Sequence, residues 1–281
     1  MKLLLNLILV AFAIQCMTSS APALASPGFR KVMTIIFENT NYQDALEQPT
    51  LGKLARDGAL LTRFTGETHP SQSNYISLTA GDGYNVGGDN PVTLDVKHVA
   101  DLLEAKGRSW KIYLEGYPGS CFTGKSSGDY VRKHNPFISF KNIQTDLARC
   151  NAHLVNSEQL ARDVQNGTLP DYSMYIPDLK NDGHDTGVAF ADRWFARAFG
   201  PLLKDSHFMQ GMLLVTTFDE SGVLGGNHIY TSLYGDSVIA GSTSDVAYNH
   251  YSILRTIEDT FGLGSLGRQD AKAPVISGVW K

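Results

Sequence analysis

The feature that most constrains the fold is a repeated alternation of short apolar runs with amphipathic segments. The runs Lys31–Phe37, Tyr172–Ile176 and Met212–Phe218 are rich in β-branched and aromatic residues, as expected for strands buried on both faces. Helical patterns lie between and after them, at 96–106 and 251–261, and each is followed by a glycine that favours helix termination. Strands that alternate with helices predict an α/β domain with a mostly parallel central sheet and helices on both faces.

The first residues have the pattern of a secretory signal peptide. A positive start, MK, precedes the apolar run LLLNLILVAFAI and the small-residue sequence Ala23-Leu24-Ala25. The run is shorter than the roughly 20 apolar residues that a membrane span needs. We therefore expect residues 1–25 to be cleaved, residues 26–281 to form a single catalytic domain, and the product to be secreted without a stable membrane anchor. The formal net charge of −4 shows no excess of basic residues, so we expect no binding to nucleic acid.

Two cysteines remain once the signal peptide is removed, because Cys16 lies within it. In an oxidising compartment, an even number of cysteines favours a disulfide between Cys121 and Cys150, and the alternative is two buried free thiols. The pair would staple the loop-rich region 115–170. The triplet Asn166-Gly167-Thr168 matches the glycosylation sequon of a eukaryotic secretory route.

Polar residues follow the predicted strands directly. Glu38-Asn39 follows the first strand, and Asp219-Glu220 follows the strand MLLVTTF. Because open α/β sheets carry their chemistry beyond the carboxyl ends of the strands, we expect these side chains to meet at one edge. Crowded carboxylates repel, and burying them unpaired costs several kcal/mol. A divalent cation is the simplest way to relieve that repulsion.

Seven ordered blocks resemble one known family. They are FENTNY, GETHPSQSNYISLTAG, YVRKHNPF, PDLKNDGHDTG, TTFDESG, GGNHIYT and NHYSILRTIEDTFGL. In this order they are similar to the phosphoesterase family of secreted acid phosphatases and bacterial phospholipases C, within the alkaline-phosphatase-like superfamily. The resemblance covers nearly all of residues 31–265 and implies an alkaline-phosphatase-like fold that hydrolyses phosphate esters.

The resemblance also implies a set of site residues and one divalent ion. Classical alkaline phosphatases have an Asp-His pair and two zinc sites where this chain has Asp219-Glu220, so we expect a single metal of open identity. By position in the blocks, the catalytic residues are Ser71, His134 and His184; the substrate-binding residues are Asn74, Asp178 and His228; and the metal ligands are Glu38, Asn39, Ser71, Asp219 and Glu220.

These residue types suit phosphoryl transfer, which depends on positioning and on charge neutralisation. A helix is expected to begin at Asn74, so Ser71 would lie at its N-terminus, where free backbone N–H groups and a bound cation favour attack on a phosphate. Asn74 would donate to a phosphoryl oxygen, and His134 or His184 would bind the anion or protonate the leaving alcohol. The structural alternative is that Ser71 or Ser73 caps the helix and has no catalytic role.

The sequence therefore predicts a secreted, metal-dependent phosphomonoesterase that hydrolyses small phosphate esters through a phosphoserine intermediate. The alternatives are a phosphodiesterase such as phospholipase C, a non-catalytic binding module, and a metal-independent serine esterase. The esterase would use a triad of Ser71 with His184 or His228 and with Asp178 or Asp219, but no Gly-x-Ser-x-Gly elbow is present.

Four further residues have local interpretations. His69 either touches the site or forms a rigid entry with the following proline, and Glu115 is a candidate for orienting a histidine. His250 is expected to pack or cap at the start of the last helix. His98 is placed on a solvated helix face.

Overall fold

A computed structural model describes residues 27–281, so the signal peptide predicted at 1–25 lies outside the described residues. The strands are β1 (Lys31–Phe37), β2 (Ala59–Leu61), β3 (Phe64–Thr65), β4 (Trp110–Leu114), β5 (Ser126–Ser127), β6 (Tyr130–Val131), β7 (Leu154–Asn156), β8 (Tyr172–Ile176), β9 (Met212–Phe218), β10 (Thr231–Tyr234), β11 (Ser242–Ser244) and β12 (Tyr248–Asn249). The helices are α1 (Tyr42–Leu46), α2 (Pro49–Asp57), α3 (Ser71–Ala80), α4 (Val99–Ala105), α5 (Lys141–Gln144), α6 (Leu147–His153), α7 (Gln159–Asn166), α8 (Val188–Ala198), α9 (Ser206–Met209) and α10 (His250–Thr260).

An eight-stranded sheet with the order β11-β2-β10-β9-β1-β8-β4-β7 forms the centre of the molecule. Neighbouring strands run parallel except at β10, which is antiparallel to both β9 and β2. Every residue of β8 and β9 is buried, as is β1 after its first lysine, so layers of chain cover the strands on both faces. The mixed α/β fold with a mostly parallel sheet is therefore confirmed.

Two local expectations from the sequence differ from the structure. The helix expected from residue 74 begins three residues earlier, with Ser71, and Pro70 holds the N-cap position. The helix expected at 96–106 shortens to α4, with His98 as its N-cap. His98 is not on a solvated face: its ring is fully buried and stacks on Phe140 at 4.4 Å. Burial of this ring against an aromatic neighbour is a tertiary effect that helical periodicity does not reveal.

The disulfide is confirmed, because Cys121 and Cys150 are bonded across 29 residues of sequence. It closes the segment that contains the β5–β6 hairpin and the short helices α5 and α6. A cross-link of this span stabilises a fold mainly by limiting the freedom of the unfolded chain. Among residues 27–281, no helix combines the length and the apolar character needed to cross a bilayer.

Candidate active site

The centre of the sheet places two predicted carboxylates side by side. Strands β1 and β9 are parallel and in register, with Phe37 opposite Phe218, so the next residues are Glu38 and Asp219. The Asp219 N–H donates to the Phe37 carbonyl oxygen at 2.9 Å and continues the ladder. Both side chains are buried, at 0% and 1% exposure.

Asn39 and Glu220 extend the same cluster. The Asn39 backbone N–H donates to Asp219 Oδ1 at 3.2 Å, and its side-chain amide donates to Glu220 Oε1 at 2.8 Å. Four of the five residues predicted to bind metal thus lie in one contiguous hydrogen-bonded group at the carboxyl edge. The fifth, Ser71, comes from a different part of the chain.

Helix α3 brings Ser71 onto this group. Its Oγ donates to Glu38 Oε2 at 3.0 Å, and the Tyr75 hydroxyl, one turn later on the same helix face, donates to Glu38 Oε1 at 2.9 Å. Ser71 occupies the first helical position and caps nothing, while Ser73 Oγ makes only a 3.5 Å contact with the Gly83 carbonyl oxygen. The capping alternative is therefore not supported for either serine.

His134 lies between two buried carboxylates. Its Nε2 is 2.9 Å from Glu38 Oε1 and its Nδ1 is 3.3 Å from Asp182 Oδ2, and these contacts are ionic rather than well-aligned hydrogen bonds. The ring stacks on Tyr75 with the centroids 5.1 Å apart. Burial alone would lower the pKa of His134, but the two carboxylates raise it to about 9. His134 is accordingly an imidazolium that contacts Glu38.

The carboxylates of the cluster have opposite protonation tendencies. Burial would raise the pKa of Glu38, but the charge of His134 and the hydrogen bonds it receives hold that pKa at about 2. Burial, followed by the charges of Glu38 and Glu220, raises the pKa of Asp219 well above its usual range. Within the described chain, Asp219 Oδ2 is buried without a hydrogen-bond partner. The cluster thus contains a carboxylate oxygen that the described residues leave without a hydrogen-bond donor.

The donor set suits a hard divalent cation. Within residues 27–281, no three or more His, Cys, Asp and Glu side chains already surround a common point as a finished metal cage. The oxygens of Glu38, Asp219 and Ser71 are nevertheless the ligand type that magnesium and calcium prefer. The orphaned oxygen of Asp219 is an atom that a cation would satisfy. The residues therefore fit the metal that the sequence predicts.

Asn74 braces the loop before α3. Its carbonyl oxygen accepts the N–H groups of Glu67 and Thr68 at 2.8 and 3.1 Å, and its amide donates to the Thr68 carbonyl oxygen and to Glu220 Oε2. The half-exposed His69 reaches the same carboxylate, with Nδ1 3.0 Å from Glu220 Oε2. His69 thus contacts the cluster, while the amide expected to bind phosphate is occupied by protein groups.

Asp178 is engaged within its own loop. Its Oδ1 accepts the backbone N–H groups of Lys180 and Asn181 at 3.1 and 3.0 Å, and its own N–H donates to Glu115 Oε2. Glu115 therefore holds this loop, and within the described residues it makes no hydrogen bond to a histidine. The carboxylate that reaches His134 is Asp182, four residues after Asp178, in the same PDLKNDGHD block. The structure thus brings this segment to the cluster through Asp182 rather than through Asp178.

His184 and His228 make no recorded contact with Ser71 in the described chain. His228 Nε2 is 2.9 Å from the Thr62 carbonyl oxygen, and its ring stacks on Tyr42 at 4.2 Å. The exposed His184 is hydrogen-bonded to Asp185 at 2.7 Å and lines a cleft of about 420 Å³ together with Asn39. His228 is thus built into the scaffold, whereas His184 faces open space beside the cluster.

Sequence reasoning missed Lys133. Its Nζ lies 3.5 Å from Ser71 Oγ and 3.3 Å from Asp89 Oδ2. Burial would lower the pKa of Lys133, but the charges of Glu38 and Asp89 raise it above the ordinary value. The residue directly precedes His134 in the block YVRKHNPF, and that adjacency was the signal that could have indicated it.

A family model described as the phosphoesterase family matches residues 37–264, which include all of these side chains. The chain belongs to the phosphoesterase family. A probable acid phosphatase of Kluyveromyces lactis is 36% identical to this phosphoesterase over 261 residues, covering 88% of the chain but only 62% of the relative. A phosphatidylinositol-3-phosphatase of Mycobacterium tuberculosis is 30% identical over 266 residues, covering 92% of the chain and 85% of the relative.

The phosphoesterase fold is shared with solved structures of low sequence identity. A Vibrio parahaemolyticus protein of the alkaline phosphatase superfamily superimposes with a TM-score of 0.61 over 89% of this chain and 71% of that chain, at 14% identity. This likeness confirms the alkaline-phosphatase-like fold that the sequence blocks implied.

Proposed function

We propose that the protein is a secreted, metal-dependent phosphomonoesterase that hydrolyses small phosphate esters through a phosphoserine intermediate at Ser71. The observation that carries the proposal is a buried serine hydroxyl, 3.0 Å from Glu38 and 3.5 Å from Lys133, at the carboxyl edge of the sheet. The acid phosphatases among its relatives support this activity. Because the chain spans about three fifths of their length, their activity is not transferred directly.

The proposed metal ligands are oxygens of five residues at the edge of the sheet. When bound, a divalent ion supplies positive charge that lowers the pKa of a coordinated hydroxyl and offsets charge on phosphoryl oxygens. The ligands are Glu38, Asn39, Ser71, Asp219 and Glu220.

The protein's own residues position and polarise the reacting groups. Lys133 places an ammonium group beside Ser71 Oγ, where it attracts the oxygens of an incoming phosphoryl group. His134 and Tyr75 hold Glu38 ionised and fixed, because both contact its Oε1. Glu38 in turn accepts a hydrogen bond from the Ser71 hydroxyl and so fixes the position of Oγ. A nucleophile fixed in this way loses little freedom on reaching the transition state.

The reaction then proceeds in two substitutions at phosphorus. In the first, the Ser71 Oγ–P bond forms as the bond from phosphorus to the alcohol oxygen breaks; the hydroxyl proton passes to solvent, and the alcohol leaves with a proton from the general acid. In the second, water forms a P–O bond as the Oγ–P bond breaks; water gives one proton back to the same acid, and Oγ takes a proton from solvent, which releases inorganic phosphate and restores the hydroxyl. We assign the proton donation to His184, because its imidazole is exposed in the cleft that Asn39 also lines.

The test is a substrate panel with and without a chelator. We expect turnover of an aryl phosphate monoester, much slower turnover of the matching diester, and no hydrolysis of the aryl acetate. Chelation should abolish turnover, and a divalent ion should restore it. A preference for the diester would instead indicate a phosphodiesterase, and chelator-resistant acetate hydrolysis would indicate the serine esterase, although neither triad histidine contacts Ser71 in the described residues.

Secretion is tested separately from catalysis. Expression of the full chain with its natural start should release a product that begins at Ser26, as read by mass spectrometry of the intact N-terminus. Retention of residues 1–25 on the mature protein would contradict the cleavage.

A further inference from the structure

A cavity of about 260 Å³ lies beside the nucleophile, between the start of α3 and the β5–β6 hairpin. Its wall includes Gln72, the residue after Ser71, and Lys133, whose ammonium group also reaches Ser71 Oγ. Lys133 therefore borders both the nucleophile and the cavity. A ligand in the cavity would touch whatever part of the substrate extends away from the reacting phosphorus.

The wall of this cavity is rich in positive charge. Lys125, Arg132 and Lys133 line it, against the single carboxylate of Asp89. That carboxylate is already engaged, because it accepts the Gln72 backbone N–H at 3.1 Å and lies 3.3 Å from Lys133 Nζ. The remaining cations have no matching acid on the wall.

Arg132 is the strongest indication of a missing anion. The residue is only 4% exposed, and its guanidinium donates through Nη2 to the carbonyl oxygens of Val92 and Ile138 at 2.7 and 3.2 Å. Its Nε is buried and has no partner, and no carboxylate is ion-paired with it in the part of the chain that the structure describes. A buried charge without a counter-ion is costly, so this guanidinium would gain from an anionic ligand.

We propose that this cavity is a second anion subsite, which binds a negatively charged group on the alcohol portion of the phosphate ester. The inference rests on the proposed function and sharpens it, since it names the substrate class: monoesters whose leaving group carries a further phosphate, sulfonate or carboxylate. Arginine and lysine are suited to such groups through charge-assisted hydrogen bonds.

The decisive experiment compares three aryl phosphates of similar size. Phenyl phosphate is the neutral reference, and the other two carry a para sulfonate and a para trimethylammonium group. Wild-type kcat/KM should follow the order anionic, neutral, cationic, with about fivefold or more between the extremes at low salt, and the spread should shrink as salt is added.

Charge reversal at one wall residue tests the location. Lys125 is exposed on the hairpin and packs in no core, so Lys125→Glu should fold and should lower the anionic-to-cationic ratio by about threefold or more. Lys106→Glu is the matched control, because Lys106 follows α4 at the opposite, amino end of the strands and changes the net charge equally. An unchanged ratio in Lys125→Glu, or an equal change in the control, would overturn the subsite.

Binding to the Ser71→Ala variant separates the subsite from catalysis. Calorimetric titration with the sulfonated and trimethylammonium esters should show tighter binding of the sulfonated ester, and Lys125→Glu should reduce the difference. Turnover of all three esters without any preference would contradict the subsite but support the phosphomonoesterase activity. Preferential binding of the sulfonated ester without turnover by wild type would support the subsite but contradict the proposed reaction.

The second charge can be supplied by a soluble bisphosphate or by a phosphorylated lipid headgroup. Soluble inositol 1,3-bisphosphate and phosphatidylinositol 3-phosphate in neutral vesicles distinguish them. Faster turnover of the soluble ester assigns the group to a small molecule, and faster turnover on vesicles assigns it to a lipid. Either result supports the subsite only if Lys125→Glu slows that substrate more than it slows phenyl phosphate.

Discussion

Two buried acidic clusters in this protein solve the same electrostatic problem differently. At the carboxyl edge of the sheet, Glu38 and Asp219 are buried within reach of two cations, His134 and Lys133. On α10, Glu258 is equally buried and faces the carboxylate of Asp270. Burial, reinforced by the charge of Asp270, raises the pKa of Glu258 to about 8, so this carboxyl stays neutral by keeping a proton.

The difference between the clusters indicates a structural role for Glu258 and a functional role for the edge cluster. The Glu258 cluster offsets burial by keeping a proton, although both Glu258 oxygens are buried without a hydrogen-bond partner in the described residues. The edge cluster keeps Glu38 ionised with a buried imidazolium, leaves an Asp219 oxygen unsatisfied and holds a serine hydroxyl against the charge. Charge maintained against burial, beside the proposed nucleophile, is typical of a reactive site.

The largest effect is expected from replacing Ser71, the proposed nucleophile of the edge cluster. Ser71→Ala should lower kcat on an aryl phosphate at least about 10³-fold, because no other hydroxyl contacts Glu38 from that position. The fold should survive, since only two side-chain hydrogen bonds are lost, those with Glu38 and Lys133, and circular dichroism checks this. Ser73→Ala is the matched control on the same helix turn and should keep near-normal turnover, so comparable losses in both variants would refute the assignment.

The second effect tests whether the edge cluster is completed by a cation. Asp219→Asn should reduce bound divalent metal, measured by elemental analysis, and lower activity about 10²-fold. In metal-stripped protein the same change should raise the melting temperature, because the amide removes a buried carboxylate that repels Glu38. Unchanged metal content together with unchanged stability would show that Asp219 belongs to no metal site.

The third effect tests the Glu258 cluster through the pH dependence of the stability of the fold. Glu258 has an ordinary pKa of 4.5 and a folded pKa of about 8, so between these values the folded state holds a proton that the unfolded state has lost. Stability from this group is therefore complete below about pH 4.5 and declines as the pH rises towards 8.

Replacing that carboxyl by an amide should remove the decline. We compare the free energy of unfolding of Glu258→Gln with that of wild type, as measured with denaturant. The variant's value relative to wild type should be higher at pH 8 than at pH 5 by at least about 1 kcal/mol. Glu158→Gln, an exposed carboxyl before α7, serves as the control. If the two variants respond equally to pH, the Glu258 cluster does not retain its proton.

The smallest effect concerns a residue outside both clusters. His228→Asn should destabilise the fold by about 1 kcal/mol, because it removes the hydrogen bond to the Thr62 carbonyl oxygen and the stacking on Tyr42. The KM for an aryl phosphate should change less than about twofold. A tenfold rise in KM would instead return His228 to the substrate-binding role that the sequence blocks implied.

Most of the edge cluster could be predicted because its members directly follow buried strands. In-register parallel neighbours such as β1 and β9 must place their next residues together, so Glu38 and Asp219 needed no knowledge of the loops. The loop residues were less predictable. Asp178 binds backbone groups of its own loop, and His228 binds the distant Thr62 carbonyl oxygen, while Asp182 and Lys133, which were not selected, reach the cluster.

The sequence by itself determined the alternation of strands and helices, the cysteine pair, and the segments that supply the site. These follow from local patterns, since apolar periodicity and the residues at strand ends involve positions that are close together in the sequence. Only the tertiary structure decided that β10 runs antiparallel, that His134 lies between Glu38 and Asp182, and that Arg132 is buried without an acid. Those outcomes depend on how loops far apart in sequence pack together, and the energies that select such packing are properties of non-local contacts.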